Sequence, residues 1–142
     1  GWYLNLANNE RVITKPILRY NNRIIFITAT PNQAACTRDG SGWLMELNAN
    51  SGSILTEANF DTNSDGKITT TDLIDVSNSS NYNNPVAAAG VKLNTGISRN
   101  PHILMSQDRS IEIKIPSGSK GQELILESVD KGKLGRQTWR QK

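Results

Sequence analysis

Twelve consecutive residues constrain this chain most: Asp61-Thr62-Asn63-Ser64-Asp65-Gly66-Lys67-Ile68-Thr69-Thr70-Thr71-Asp72. Oxygen-bearing side chains stand at the first, third and fifth positions, Asp61, Asn63 and Asp65. Gly66 follows at the sixth, where the backbone turns sharply and a Cβ would obstruct it. The seventh position donates a main-chain carbonyl, so the Lys67 side chain is left to water. Ile68 anchors the stretch to a core, and Asp72 closes it. Such spacing suits a hard cation that takes about 6–8 oxygens at about 2.3–2.6 Å, because a tight loop turns alternate side chains inward. The stretch therefore reads as an EF-hand-like Ca²⁺ loop, with Asp61, Asn63, Asp65, Lys67 and Asp72 as ligands. Mg²⁺ fits less well, since it keeps its waters. The usual closing residue is Glu. Asp72 is one methylene shorter, which leaves Asp72, Thr69 or a water as the last ligand.

A loop of this kind needs a scaffold at both ends, and the remaining sequence supplies β-strand signals. Hydrophobic residues make up 36% of the 142 residues, and Asn, Ser, Thr and Gly abound. That balance suits one loop-rich, all-β domain outside the cell. The net charge of +3 is mildly basic, with no block of like charge, so nucleic acid is not expected as a partner. Lys131, Lys133, Arg136, Arg140 and Lys142 read as a solvated tail. Cys36 is alone, so no disulfide framework exists within the chain. No apolar run is long enough for a transmembrane segment. The abrupt, strand-like start at Gly1-Trp2-Tyr3-Leu4 suggests a fragment of a longer mature protein.

Strands are expected at 2–6, 11–20, 23–30, 43–47, 53–60, 86–93, 103–106 and 111–115. Pro16 favours an edge or bulge, and Asn21-Asn22 marks a tight hairpin. Loops are expected at 31–42 and 77–85. Residues 73–76 read as a helical turn or short strand, and 122–128 as helix or strand. Two internal similarities stand out. Trp2-Tyr3-Leu4-Asn5-Leu6 matches Trp43-Leu44-Met45-Glu46-Leu47, offset by 41 positions. Pro16-Ile17-Leu18 with Asn21-Asn22-Arg23 matches Pro101-His102-Ile103-Leu104 with Gln107-Asp108-Arg109, offset by 85, about twice the first. A period of roughly 40–45 residues with several strands per unit points to β-propeller blades. About three such units fit in this chain, fewer than a closed ring needs. An ordinary β-sandwich is the alternative.

The stretch from Trp43 to Gly52 resembles the strand and turn of a quinoprotein-type blade. Gly135-Arg136-Gln137-Thr138-Trp139-Arg140-Gln141 resembles the C-terminal signature of the PilC/PilY family of type IV pilus tip proteins. Gly1-Trp2-Tyr3-Leu4-Asn5-Leu6, followed by Glu10-Arg11-Val12-Ile13-Thr14, resembles the same family, as does a calcium loop between such segments. The resemblance implies that residues 1–142 form the C-terminal part of a modified β-propeller, whose other blades lie elsewhere in the same protein. It implies a calcium-binding module of a pilus tip and biogenesis protein, with Ca²⁺ occupancy coupled to pilus extension and retraction, twitching motility and adhesion. The implied partners are the remaining blades, minor pilins at the tip and a host-cell receptor. The implied location is extracellular, at the pilus tip or outer membrane of a Gram-negative bacterium. Arg38-Asp39-Gly40 holds the residues of an integrin motif in another order and reads as a turn.

Two other classes compete. A dockerin-like interaction module shares the D-x-N-x-D-G-x-x-x-x-x-D-L pattern from Asp61 to Leu73, but it needs two loops, each followed by an amphipathic helix, and only one loop is present. A quinoprotein-like enzyme is the other. A propeller does not imply that activity, His102 is the sole neutral-pH base, and no nucleophile motif accompanies Cys36, so catalysis is not expected. Trp2, Trp43 and Trp139 read as core or inter-blade packing rather than a carbohydrate platform.

Overall fold

The computed structural model describes residues 1–7, 9–32, 40–78 and 85–129. Cys36, most of the Arg38-Asp39-Gly40 turn and the motif ending at Trp139 lie outside the described residues.

The described chain is all-β. Ten strands follow in order: β1 Arg11–Val12, β2 Ile17–Arg19, β3 Arg23–Pro31, β4 Gly40–Asn48, β5 Gly90–Leu93, β6 His102–Met105, β7 Ile111–Ile115, β8 Ser117–Gly118, β9 Gly121–Gln122 and β10 Ile125–Ser128. Helix is confined to two 3₁₀ turns, Tyr20–Asn22 and Thr70–Asp72. All pairings are antiparallel. The first sheet runs β1-β3-β4-β5, with β2 on the same edge of β3 as β1. The second runs β10-β7-β6, and β8-β9 form a separate ribbon.

β3 is the spine. Its run Ile24-Ile25-Phe26-Ile27-Thr28-Ala29 is rich in β-branched residues, and 25–29 are buried on both faces. It pairs with β4 from Arg23 opposite Asn48 to Pro31 opposite Gly40. The chain enters β3 from β2 through Asn21 and Asn22, with φ of 50° and 59°. Asn tolerates that left-handed backbone better than most residues, which is why an Asn pair turns the hairpin here.

The second internal similarity is carried structurally, because Pro101 onward forms the matching hairpin β6–β7 with Arg109 left-handed at φ 55°. The Asp108 carboxylate ties that turn together. It accepts from the Ser106 hydroxyl at 2.6 Å, the Ser110 hydroxyl at 2.6 Å and the Ser110 amide at 3.1 Å. Led by the Ser106 bond, these pull the Asp108 carboxyl down to about 2. Carboxyl NMR titration should find that midpoint, and Ser106→Ala should move it up toward the ordinary value of about 3.9. The turn's support by Asp108 is present above that value and is lost as pH falls through about 2.

The first similarity is not carried in this way. Trp43 lies in β4, but residues 2–6 form no strand. Instead the Trp2 indole N–H donates to the Ala49 carbonyl at 2.8 Å, and its ring lies over Gly52, where a Cβ would strike it. Gly52 has φ +70°, so both turn geometry and the ring require glycine. Residues 53–58 are also unpaired rather than strand, and 125–128 resolve as strand.

The two sheets share one core. Ile25, Ile27, Leu44, Phe60, Ala88 and Leu93 are buried, with Val91, Ile103 and Ile125 packed against them. Burying each large side chain stabilises by about 1.5–3 kcal/mol. At one end this apolar layer gives way to an ionic one. The β7 sequence Ile-Glu-Ile-Lys-Ile turns Glu112 and Lys114 inward and leaves its isoleucines only half-buried. Glu112, Lys114 and Glu127 of the second sheet meet Arg19, Arg23 and Glu46 of the first. Three cations face three anions, so the layer is neutral. On the other face of the second sheet, Leu104, Ile113 and Leu126 stand side by side, and Leu104 is 53% exposed.

Candidate metal centre

The 61–72 loop is an excursion pinned at both feet. Phe60 bridges Glu127, and the Asp61 amide donates to the Leu126 carbonyl at 3.2 Å. Beyond the loop, Ile74 and Val86 exchange 2.7 and 3.0 Å hydrogen bonds. Phe60 is fully buried in the shared core. The first candidate ligand thus follows directly on a core anchor.

Between the feet the backbone folds onto the candidate side chains. Asp61 Oδ1 accepts from the Asp65 amide at 3.1 Å, and Oδ2 from the Gly66 amide at 2.9 Å. Asn63 Oδ1 accepts from the same Asp65 amide at 2.9 Å. Asp65 Oδ1 accepts from the Lys67 amide at 2.8 Å. These are successive Asx turns, in which a short oxygen-bearing side chain bonds the amide two residues on. They wind the loop so that Asp61, Asn63 and Asp65 share one concavity. The Asn63 amide nitrogen donates outward to Thr71 Oγ1 at 3.1 Å, which fixes its oxygen inward. Ser64 and Gly66 take φ of 62° and 80°. No atom lies within 4 Å of a Cβ built on Gly66, so the demand there is purely conformational. Gly66→Val should cost about 1–2 kcal/mol through that positive φ, measurable as a lowered urea midpoint without added ion.

Asp72 behaves differently from its neighbours. It is 1% exposed. Its Oδ1 accepts from the amides of Thr62 at 2.8 Å and Asn63 at 3.3 Å, and its Oδ2 from the Thr69 amide at 2.9 Å. Thr69 in turn caps the Thr70–Asp72 turn, completing a capping box. Burial raises the Asp72 carboxyl, but the amide bonds from Thr69, Thr62 and Asn63 together outweigh it and hold the group below the usual carboxylate range. The short side chain is thus used to staple the neck of the loop. A carboxylate offers about four lone-pair sites, so Oδ2 retains one for an ion.

Among the described residues, no three His, Cys, Asp or Glu side chains gather into a metal-holding group. Two carboxylates, one amide oxygen and the Lys67 carbonyl are what the loop brings together; Asp72 stands at its neck. That donor set is all hard oxygen, the chemistry Ca²⁺ prefers. The sequence pattern located every one of these residues. It missed Thr62 and Thr71, whose hydroxyls bond the Asp72 carbonyl at 3.0 Å and receive the Asn63 amide.

The other candidates disperse. His102 is exposed on β6, opposite Ile115. Trp43 is 38% exposed. The segment after the loop is a single 3₁₀ turn followed by extended Leu73, where a dockerin-like module requires an amphipathic helix. No helix among the described residues is long and apolar enough to cross a membrane. Compared with models of protein families, with curated proteins and with solved structures, the chain matches none.

Proposed function

We propose that the chain is a calcium-binding module of a type IV pilus tip and biogenesis protein, in which ion occupancy biases pilus extension against retraction, and with it twitching motility and adhesion. One observation carries the calcium half. The Asx turns of Asp61, Asn63 and Asp65 wind the loop around their own oxygens, an arrangement that leaves those oxygens together and short of positive charge. In this reading Asp61, Asn63 and Asp65 hold Ca²⁺ through side chains, Lys67 through its carbonyl, and Asp72 through the spare position of its carboxylate. The pilus half rests on the sequence resemblance. So does the modified-propeller reading, in which these sheets are blades packed against others of the same protein. The half-exposed face of Leu104, Ile113 and Leu126 supports that packing, since such a face is usually covered. The reading places the protein outside the cell, at the tip, beside minor pilins and a host receptor, and gives it no catalytic role.

The test is Asp65→Ala against Lys67→Ala in the full-length protein of the source bacterium. Loss of calcium-dependent twitching in the first alone supports the reading. If Asp65→Ala loses the ion but leaves motility untouched, the loop is a structural staple and the regulatory half fails.

A further inference from the structure

A cavity of about 850 Å³ lies beside the loop. Residues 54–58 form one wall, Gly66, Lys67 and Ile68 another, and Ile111 and Val129 contribute apolar surface. Residues 54–58 lie outside every helix and strand. Among the described residues, none of their backbone groups makes a hydrogen bond within the chain. A run of open amides and carbonyls along a groove is complementary to one kind of ligand, another extended backbone. The charged side chains lining the cavity are Arg23, Lys67 and Glu57, two cations against one anion. Arg23 is committed to Glu46 and Ser128. Lys67 is exposed and enters no ion pair among the described residues.

We propose that this groove docks an extended peptide carrying an acidic residue, with residues 54–58 giving the backbone edge and Lys67 receiving the acid. The groove's second wall is the loop itself. The Lys67 carbonyl faces the ion's shell in the calcium reading while its side chain serves the rim. On that reading, ion occupancy fixes Gly66 to Ile68 and so sets the shape of the dock.

The experiment pans a random dodecapeptide library against the full chain in calcium, then measures synthetic copies of enriched peptides by fluorescence anisotropy. Enrichment of Asp or Glu is expected. Thr56→Pro, which removes an amide from the edge, should weaken binding about tenfold or more, and Lys67→Glu should do the same while leaving the calcium heat unchanged. EGTA should weaken it as well. Peptides without acidic enrichment, or peptides that bind both variants as tightly as wild type, overturn the proposal. Binding indifferent to EGTA in a chain that takes calcium overturns the link to the loop. Calorimetry on the same preparation keeps the two readings apart. A chain that takes calcium but no peptide ends the docking proposal alone; one that takes acidic peptide in a Thr56→Pro-sensitive manner but no calcium ends the ion reading alone.

Discussion

Glu112→Gln will lower the unfolding free energy by about 3 kcal/mol near pH 6, the low end of what removing one partner from a buried ion pair costs. Glu112 is 5% exposed and faces two cations, Arg19 and Lys114. Its loss leaves three cations against Glu46 and Glu127 in a layer closed to water. Lys114 moderates the damage, because its ammonium can give up a proton. Burial pushes Lys114 down to about 7, while the Glu112 carboxylate opposes the fall. Between about pH 7 and the free-lysine value of about 10.4, the unfolded chain holds a proton that the folded chain has lost, so stability rises with pH across that window. Removing Glu112 lowers Lys114 further and extends the window downward. The gap between variant and wild type should therefore be widest below about pH 7 and narrow toward pH 10. Urea unfolding at several pH values reads both features. A gap below about 1 kcal/mol, or one that does not change with pH, would show that the ionic layer is not one coupled unit.

Asp61→Ala will cost more calcium affinity than any other single change in the loop. The substitution removes one of three carboxylates, so the shell with Ca²⁺ changes from a net −1 to neutral. It also removes both oxygens that gather the Asp65 and Gly66 amides, so the concavity loosens before an ion arrives. Asp65→Ala loses the same charge but only one amide bond, to Lys67. EF-hand-like loops span about 10⁻⁹ to 10⁻³ M according to charge and rigidity. With Asp72 occupied at the neck, wild type belongs in the weaker half of that range. Asp61→Ala should then show no measurable binding at millimolar calcium, by calorimetry or by terbium luminescence. Retained binding within about tenfold of wild type would mean that Asp61 is a turn residue only.

How much of this was legible in the sequence depended on whether the signal was local. The loop was, because each Asx turn is made by residues two to five apart, and Gly66 marks the one backbone position that needs glycine. The Asn21-Asn22 hairpin and the spine of β3 were legible for the same reason. Residues 2–6 were not. Their alternation looks like a strand, but no neighbour offers them an edge, and Trp2 packs over a turn some fifty residues on. The ionic layer was hidden as well. Ile-Glu-Ile-Lys-Ile gives the strand but not which side faces in, and the usual expectation puts the isoleucines inside. Only the carboxylates and guanidiniums of distant strands make the opposite choice stable. The role of Asp72 as a neck staple likewise depends on amides at both ends of the loop.

Calorimetric titration of the intact chain with Ca²⁺, repeated on Asp65→Ala and Lys67→Ala, tests the central claim most directly. The account predicts one ion per chain for wild type, the same for Lys67→Ala because only its carbonyl is used, and no heat for Asp65→Ala. A wild-type chain that gives no calcium heat, or an Asp65→Ala chain that binds as tightly as wild type, contradicts it.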